Sequence, residues 1–177
     1  MRQDDRPNHP VIAAPFIGTL QTVRDEWIDY NGHLNMAYYN VLFDACVDEA
    51  FLALGLGPDY ATRCNASFFT AEVHVCYLRE LRRGDPVRAT LQLISYDDKR
   101  AHVYQELYHS DAGFLSATSE QLSLHVDLRL KKVVPWPKEV AERLEAMRAA
   151  HAALPRPERV GRAISLTPRR KTGRQEP

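Results

Sequence analysis

Over residues 36–54 the chain repeats apolar side chains at helical spacing: Tyr39, Leu42, Phe43, Cys46, Val47, Ala50, Phe51 and Leu54. A stripe this wide needs a surface to lie against. Asn35 is placed to cap the start, because its side-chain oxygen can take an otherwise unpaired amide of the first turn. Gly55, Gly57 and Pro58 supply the stop.

The middle of the chain reads as the surface that helix requires. Residues 66–81 alternate Val73, Val75 and Tyr77 with Glu72, His74 and Cys76. After a turn at Gly84-Asp85-Pro86, Val87, Ala89, Leu91 and Leu93 alternate with Arg88, Thr90 and Gln92. Another turn at residues 96–100 leads into runs 101–109 and 114–128, joined at Asp111-Ala112-Gly113. Period-two runs between short turns predict an antiparallel meander. Residues 19–29 read as a further strand. Residues 137–153 read as a second helix with Val140, Leu144 and Met147 on its apolar side. The predicted class is α+β, one domain over residues 16–154. One helix cannot cover both faces of a sheet or close its edges, so a second subunit is expected.

The flanks differ in composition. Residues 1–15 read as a loose leader, with neither a signal peptide nor a membrane-spanning start. Residues 155–177 form a basic tail, with Arg156, Arg159, Arg162, Arg169, Arg170, Lys171 and Arg174 against Glu158 and Glu176; disorder is expected there. Lys plus Arg and Asp plus Glu balance at 23 each, which favours neither nucleic acid nor an anionic membrane as partner. Cys46, Cys64 and Cys76 lack a CxxC pairing, and a cytoplasmic location is expected.

Candidate chemistry is concentrated in residues 29–39. Asp29 ends a strand, and Asp29-Tyr30-Asn31-Gly32-His33-Leu34-Asn35 is rich in turn formers. If Asn35 caps the helix, the Met36 amide stays free at the positive end of the helix dipole. A free, oriented amide suits a developing oxyanion, and a nearby carboxylate can attack an acyl carbon or activate water. Each residue also has a plainer role: Asp29 as turn former, His33 as loop brace, Asn35 as cap, Tyr38 and Tyr39 as core. The residues alone leave that choice open.

Asp29-x-x-Gly32-His33-x-Asn35-x-x-x-Tyr39, opening a long helix, resembles the hotdog-fold thioesterases of the 4-hydroxybenzoyl-CoA thioesterase type. The resemblance covers roughly residues 19–144. It implies a five- to six-stranded antiparallel sheet wrapped around one central helix, with active sites at a homodimer interface. It implies hydrolysis of a small acyl-CoA without cofactor or metal. Asp29 would be the catalytic carboxylate, as nucleophile or base, and the Met36 amide would polarise the thioester carbonyl. His33 and Asn35 would hold the turn and helix start. Many relatives have a second Asn where this chain has Met36; a backbone role survives that change. Glu72-Val73-His74-Val75-x-Tyr77-Leu78, with Gly84-Asp85-Pro86-Val87 after it, matches a second block. Asp98-Lys99-Arg100-x-His102 and Ala117-Thr118-x-Glu120-Gln121-x-x-Leu124-His125-Val126-Asp127 are similar to the betainyl-CoA thioesterases of carnitine catabolism.

A trimethylammonium acyl group suits aromatic faces, which Trp27, Tyr30, Tyr39, Phe68, Phe69 and Tyr77 offer, with Glu72 or Glu49 adding charge. Arg79, Arg82, Arg83, Lys99, Arg100, Arg129, Lys131 and Lys132 are candidates for CoA phosphates. The rivals are a hotdog hydratase or dehydratase pairing Asp29 with His33, and a non-catalytic acyl-CoA-binding module. A Cys–His nucleophile and a metal site from His33, His74 and Glu72 lack supporting spacing. Assembly of dimers into a dimer of dimers is not set by the sequence.

Overall fold

The computed structural model describes residues 12–166. Ten elements run in chain order: β1 (Phe16–Ile17), β2 (Gln21–Thr22), α1 (Met36–Ala53), α2 (Pro58–Cys64), β3 (Ala66–Tyr77), β4 (Pro86–Tyr96), β5 (Arg100–His109), β6 (Leu115–Asp127), β7 (Lys132–Val133) and α3 (Lys138–His151). The sheet is antiparallel, in the order β1-β4-β5-β6-β3, with β2 also on β4 and β7 on β6. The strand count exceeds five or six because β1, β2 and β7 are two-residue pieces.

All eight residues of the predicted stripe are buried, from Tyr39 to Leu54. They share one cluster with Val87, Ala89, Leu91, Ala101, Val103 and Leu107, which are alternate residues of β4 and β5. Burying side chains as large as Phe43 and Phe51 contributes about 1.5–3 kcal/mol each. Gly55, at φ +82°, ends α1 in the left-handed region that glycine adopts without steric cost. Arg143 of α3 donates from Nη1 to the Leu54 carbonyl at 3.1 Å, covering the negative end of the helix.

Several expectations need correcting. Residues 19–29 do not form one strand. Within them only Gln21–Thr22 joins the sheet as a strand, residues 25–27 coil into a 3-10 turn that buries Trp27, and Ile28 makes an isolated bridge to Leu34. Pro58, read as part of the stop of α1, also opens the short helix α2, in whose first turn its missing N–H costs nothing. Cys64 ends this helix. At the chain ends, Ile12 packs on the core and the Ala13 carbonyl is bonded by His151. Residues 155–166 carry no helix or strand, yet the Gly161 amide donates to both Glu120 carboxylate oxygens at 2.8 and 2.9 Å. The rest of the expected leader and tail, residues 1–11 and 167–177, lies outside the described residues.

The two sheet edges differ. β4 is covered by β1 and β2, and beyond them the His151 ring closes it: Nδ1 accepts from the Leu93 amide at 2.9 Å, and Nε2 lies 2.9 Å from the Ala13 carbonyl, to which it donates. β3, 12 residues long, pairs with β6 on one side only.

Burial lowers the His151 pKa and outweighs the opposing bond to Ala13. Over the window between the folded value and the ordinary 6.5, the unfolded chain binds the extra proton. The stability from a neutral His151 is therefore full above that ordinary value and falls as pH drops below it. Melting temperatures measured from pH 7.5 to pH 5 are expected to fall for the natural chain. For His151→Gln, which keeps one donor and one acceptor but does not titrate, the fall is shallower and the gap between the two narrows with acid. Parallel curves would exclude this role.

Candidate active site

Residues 27–36 fold back on themselves. Ile28 bridges Leu34, the Asn35 amide donates to the Trp27 carbonyl at 2.9 Å, and the Asp29 amide donates to the His33 carbonyl at 2.9 Å. Gly32, at φ +78°, takes the left-handed position that closes the turn. The Leu34 amide ties the hairpin to Leu81 at 2.8 Å.

Asp29 sits at the tip, half-buried. Its Oδ1 accepts from the Asn31 amide at 2.8 Å and, longer, from the His33 amide at 3.5 Å. These bonds fix the carboxylate, and Oδ2 has no hydrogen-bond partner among the described residues. The bonds run to the His33 backbone and not to its ring.

At the other end of the hairpin, Asn35 Oδ1 accepts from the Ala37 amide at 3.0 Å, as a cap should. The Met36 amide then has no acceptor among the described residues. An N–H at the positive end of an 18-residue helix is a donor awaiting an anion. The Tyr77 hydroxyl donates to the Met36 carbonyl at 3.3 Å, and its ring meets Tyr39 edge-on at 5.1 Å. A cavity of ≈ 300 Å³ opens here, lined by Leu34, Met36, Tyr39, Tyr77, Leu78, Arg79 and Glu80. Burial raises the Tyr39 pKa, partly offset by hydrogen bonds with Ser116 and the Leu81 backbone.

The other sequence candidates are scattered. Trp27 is buried, stacked on Tyr38 at 5.5 Å with the Arg24 guanidinium 4.9 Å over its ring. Tyr30 is 98% exposed. Phe69 is exposed on β3 and lines a separate groove beside α1 and α2. Glu72 lies in a third cavity, with His74, Asp97, Arg100, His102 and Glu120, and is not brought to the helix start. There His102 Nε2 meets Glu120 at 2.8 Å.

Glu80 was not legible as a site residue, because nothing marks it within the loop after β3. Its carboxyl lies below the ordinary value, first through its own backbone amide, then through nearby His33, Arg82 and Arg79. Cys46 is no nucleophile: burial first, then the Glu49 charge, pushes its thiol up to about 12. Among the described residues no His, Cys, Asp and Glu group could hold a metal ion, and no helix is long and apolar enough to cross a membrane.

Residues 23–144 match the model of the thioesterase-like superfamily. The chain is 41% identical over 146 residues to a betainyl-CoA thioesterase of Pseudomonas aeruginosa, covering 82% of this chain and 92% of that protein. It is 36% identical over 142 residues to an L-carnitine dehydrogenase/betainyl-CoA thioesterase of Rhizobium meliloti, covering 80% of this chain but 28% of that longer protein. A Staphylococcus aureus protein solved in complex with CoA superposes with a TM-score of 0.81 at 28% identity, over 86% of this chain and 96% of that one.

The cap is testable on its own. Asn35→Ala should cost about 1 kcal/mol in urea unfolding, and Asn35→Asp, which caps as well, should cost little. Equal losses for both would mean that the side chain acts otherwise than by capping.

Proposed function

Because this chain belongs to the thioesterase-like superfamily and hydrolyses acyl-CoA thioesters, we propose that betainyl-CoA is its substrate and that Asp29 and the Met36 amide carry the chemistry. The single observation behind the site is the pairing of a fixed carboxylate at one end of the hairpin with an unclaimed helix-start amide at the other. The 41% identity to a betainyl-CoA thioesterase supports the substrate.

The thioester carbonyl oxygen takes the Met36 N–H. Polarisation there favours the tetrahedral oxyanion over the planar ground state, the kind of contact that lowers a barrier rather than only tightening binding. Asp29 acts through its open Oδ2 in one of two ways. As base it takes a proton from water while the oxygen attacks the acyl carbon, then returns that proton to the departing CoA sulfur. As nucleophile it forms a mixed anhydride and releases CoA, and water opens the anhydride. His33, Asn35 and Gly32 hold the turn and helix start. Arg79 and Arg82, at the helix-start cavity and in the loop beyond it, are the basic residues best placed for CoA phosphates; Arg100 is engaged by Asp97.

The catalytic unit is a homodimer joined along β3. That strand is long, unpaired on one side and carries exposed Phe69, Val73 and Tyr77, and exposed Met36, Val41 and Leu52 extend the apolar face onto α1. An edge of this kind is covered in a stable protein. The three thiols are unpaired, which suits the reducing cytoplasm. The domain runs over residues 16–154, with the leader and the basic tail as flanks. The hydratase reading is weaker, since the Asp29 carboxylate engages the His33 backbone and not its ring.

Asp29→Asn should lower release of free thiol from acyl-CoA by roughly 10²–10⁴-fold, with the melting temperature held. An undamaged rate removes Asp29 from the mechanism, and a natural chain that frees no thiol from any saturated acyl-CoA is not a thioesterase. Size-exclusion chromatography with light scattering should give a dimer or a multiple of one; a monomer at micromolar concentration contradicts the β3 interface.

A further inference from the structure

The loop between β3 and β4 carries a carboxylate to the start of α1. Its backbone is fastened on both sides of Glu80. The Leu78 and Arg79 amides donate to the Ser116 carbonyl at 2.8 and 3.0 Å, and the Ser116 hydroxyl donates to the Arg79 carbonyl at 2.7 Å. On the other side, the Leu81 carbonyl accepts from Leu34, two positions before Met36, and the Leu81 side chain is fully buried. Glu80 lines the ≈ 300 Å³ cavity at the helix start, where the other lining residues are apolar, aromatic or, in Arg79, basic. The Arg79 guanidinium is drawn over the Phe114 ring, 3.8 Å from its centroid, and no ion pair among the described residues includes Glu80. The Glu80 carboxyl, held below its ordinary value by its own amide and then by His33, Arg82 and Arg79, carries a full charge at neutral pH. Beside it Tyr77, 45% exposed, offers an open ring that Tyr39 backs edge-on at 5.1 Å. Burial raises the pKa of both phenols, and the Glu80 charge adds to the rise at Tyr39, so both rings stay neutral.

We propose that Glu80 determines specificity for a cationic acyl group, its carboxylate and the Tyr77 ring forming the subsite for the trimethylammonium end. The inference rests on the betainyl-CoA reading above and adds to it the residue that reads the charge. Length selects this cavity. In betainyl-CoA one methylene separates the acyl carbon from the nitrogen, so a carbonyl oxygen on the Met36 amide keeps the cation beside the helix start. Tyr77 stands there, since its hydroxyl reaches the Met36 carbonyl at 3.3 Å. The acidic residues that the sequence suggested do not. Glu72 lies in a separate cavity. Glu49 is bonded by the Thr19 amide at 2.8 Å and stands ~20 Å along α1 from Met36 at 1.5 Å per residue. A quaternary ammonium has no N–H to donate, so charge and an aromatic face hold it where hydrogen bonds cannot. An unpaired carboxylate beside an open ring presents both.

Two comparisons test this. The first sets betainyl-CoA against its neutral isostere, 3,3-dimethylbutanoyl-CoA, in which carbon replaces the charged nitrogen. The natural chain should prefer the cation in kcat/KM, and Glu80→Gln should cut that preference roughly five- to tenfold. No preference in the natural chain overturns the substrate reading and the subsite together. A preference that persists in Glu80→Gln overturns the subsite alone, as does an equal loss on both substrates. The second comparison brings in malonyl-CoA, whose carboxylate stands where betaine has its nitrogen. Glu80→Lys should raise kcat/KM on malonyl-CoA above that of the natural chain and lower it on betainyl-CoA, a reversal that a merely structural role for Glu80 cannot produce. A Glu80→Lys chain that loses rate on the anionic and the cationic substrate alike overturns the assignment.

Discussion

The structure depends on how α1 begins. Four amides open any helix, and one side chain can take only one or two of them. Asn35 takes Ala37 and leaves Met36. A hydrophobic stripe buried along its length keeps this helix in place, so the vacant N–H has a fixed direction. The hairpin that delivers the chain to that point is fastened to Trp27 and Leu81, and its tip holds Asp29 by backbone amides alone. In the proposed mechanism donor and carboxylate are both set before a substrate arrives, the condition under which electrostatic stabilisation of a transition state is largest.

The sheet's asymmetry carries the rest. One edge is finished by short strands and by the His151 ring; the other, β3, is long, bare and apolar. The same strand carries Tyr77 near the helix start and, on the other side of its irregularity, Phe69 beside α1 and α2. In the proposed homodimer a second copy covers this edge and so meets a stability need.

Much of this was legible because half-buried elements advertise their period. All eight residues of the α1 stripe are buried, and β4, β5 and β6 keep their alternation closely. The Asn35 cap was legible because its chemistry is local. What failed was non-local. The helix α2, only seven residues long between Gly57 and Asn65, carries too short a pattern to separate from a loop. His151 and His125 look like surface residues but satisfy buried amides and carbonyls, while Gln105, Ser119 and Ser123 break the apolar pattern inside the core. Glu72 reads as a neighbour of Tyr77 although alternation puts them on opposite faces, and the irregularity between Thr70 and Glu72 hides which half of β3 faces α1.

The most direct measurement removes one N–H from the proposed catalytic centre. Replacing Met36 by its α-hydroxy analogue turns the Asn35–Met36 amide into an ester, deleting that N–H and keeping every side chain. An oxyanion donor at this position requires kcat on a saturated acyl-CoA to fall by roughly 10²–10³-fold, with the melting temperature near that of the natural chain, since the N–H has no partner among the described residues. An unchanged kcat in the folded ester protein would contradict the account.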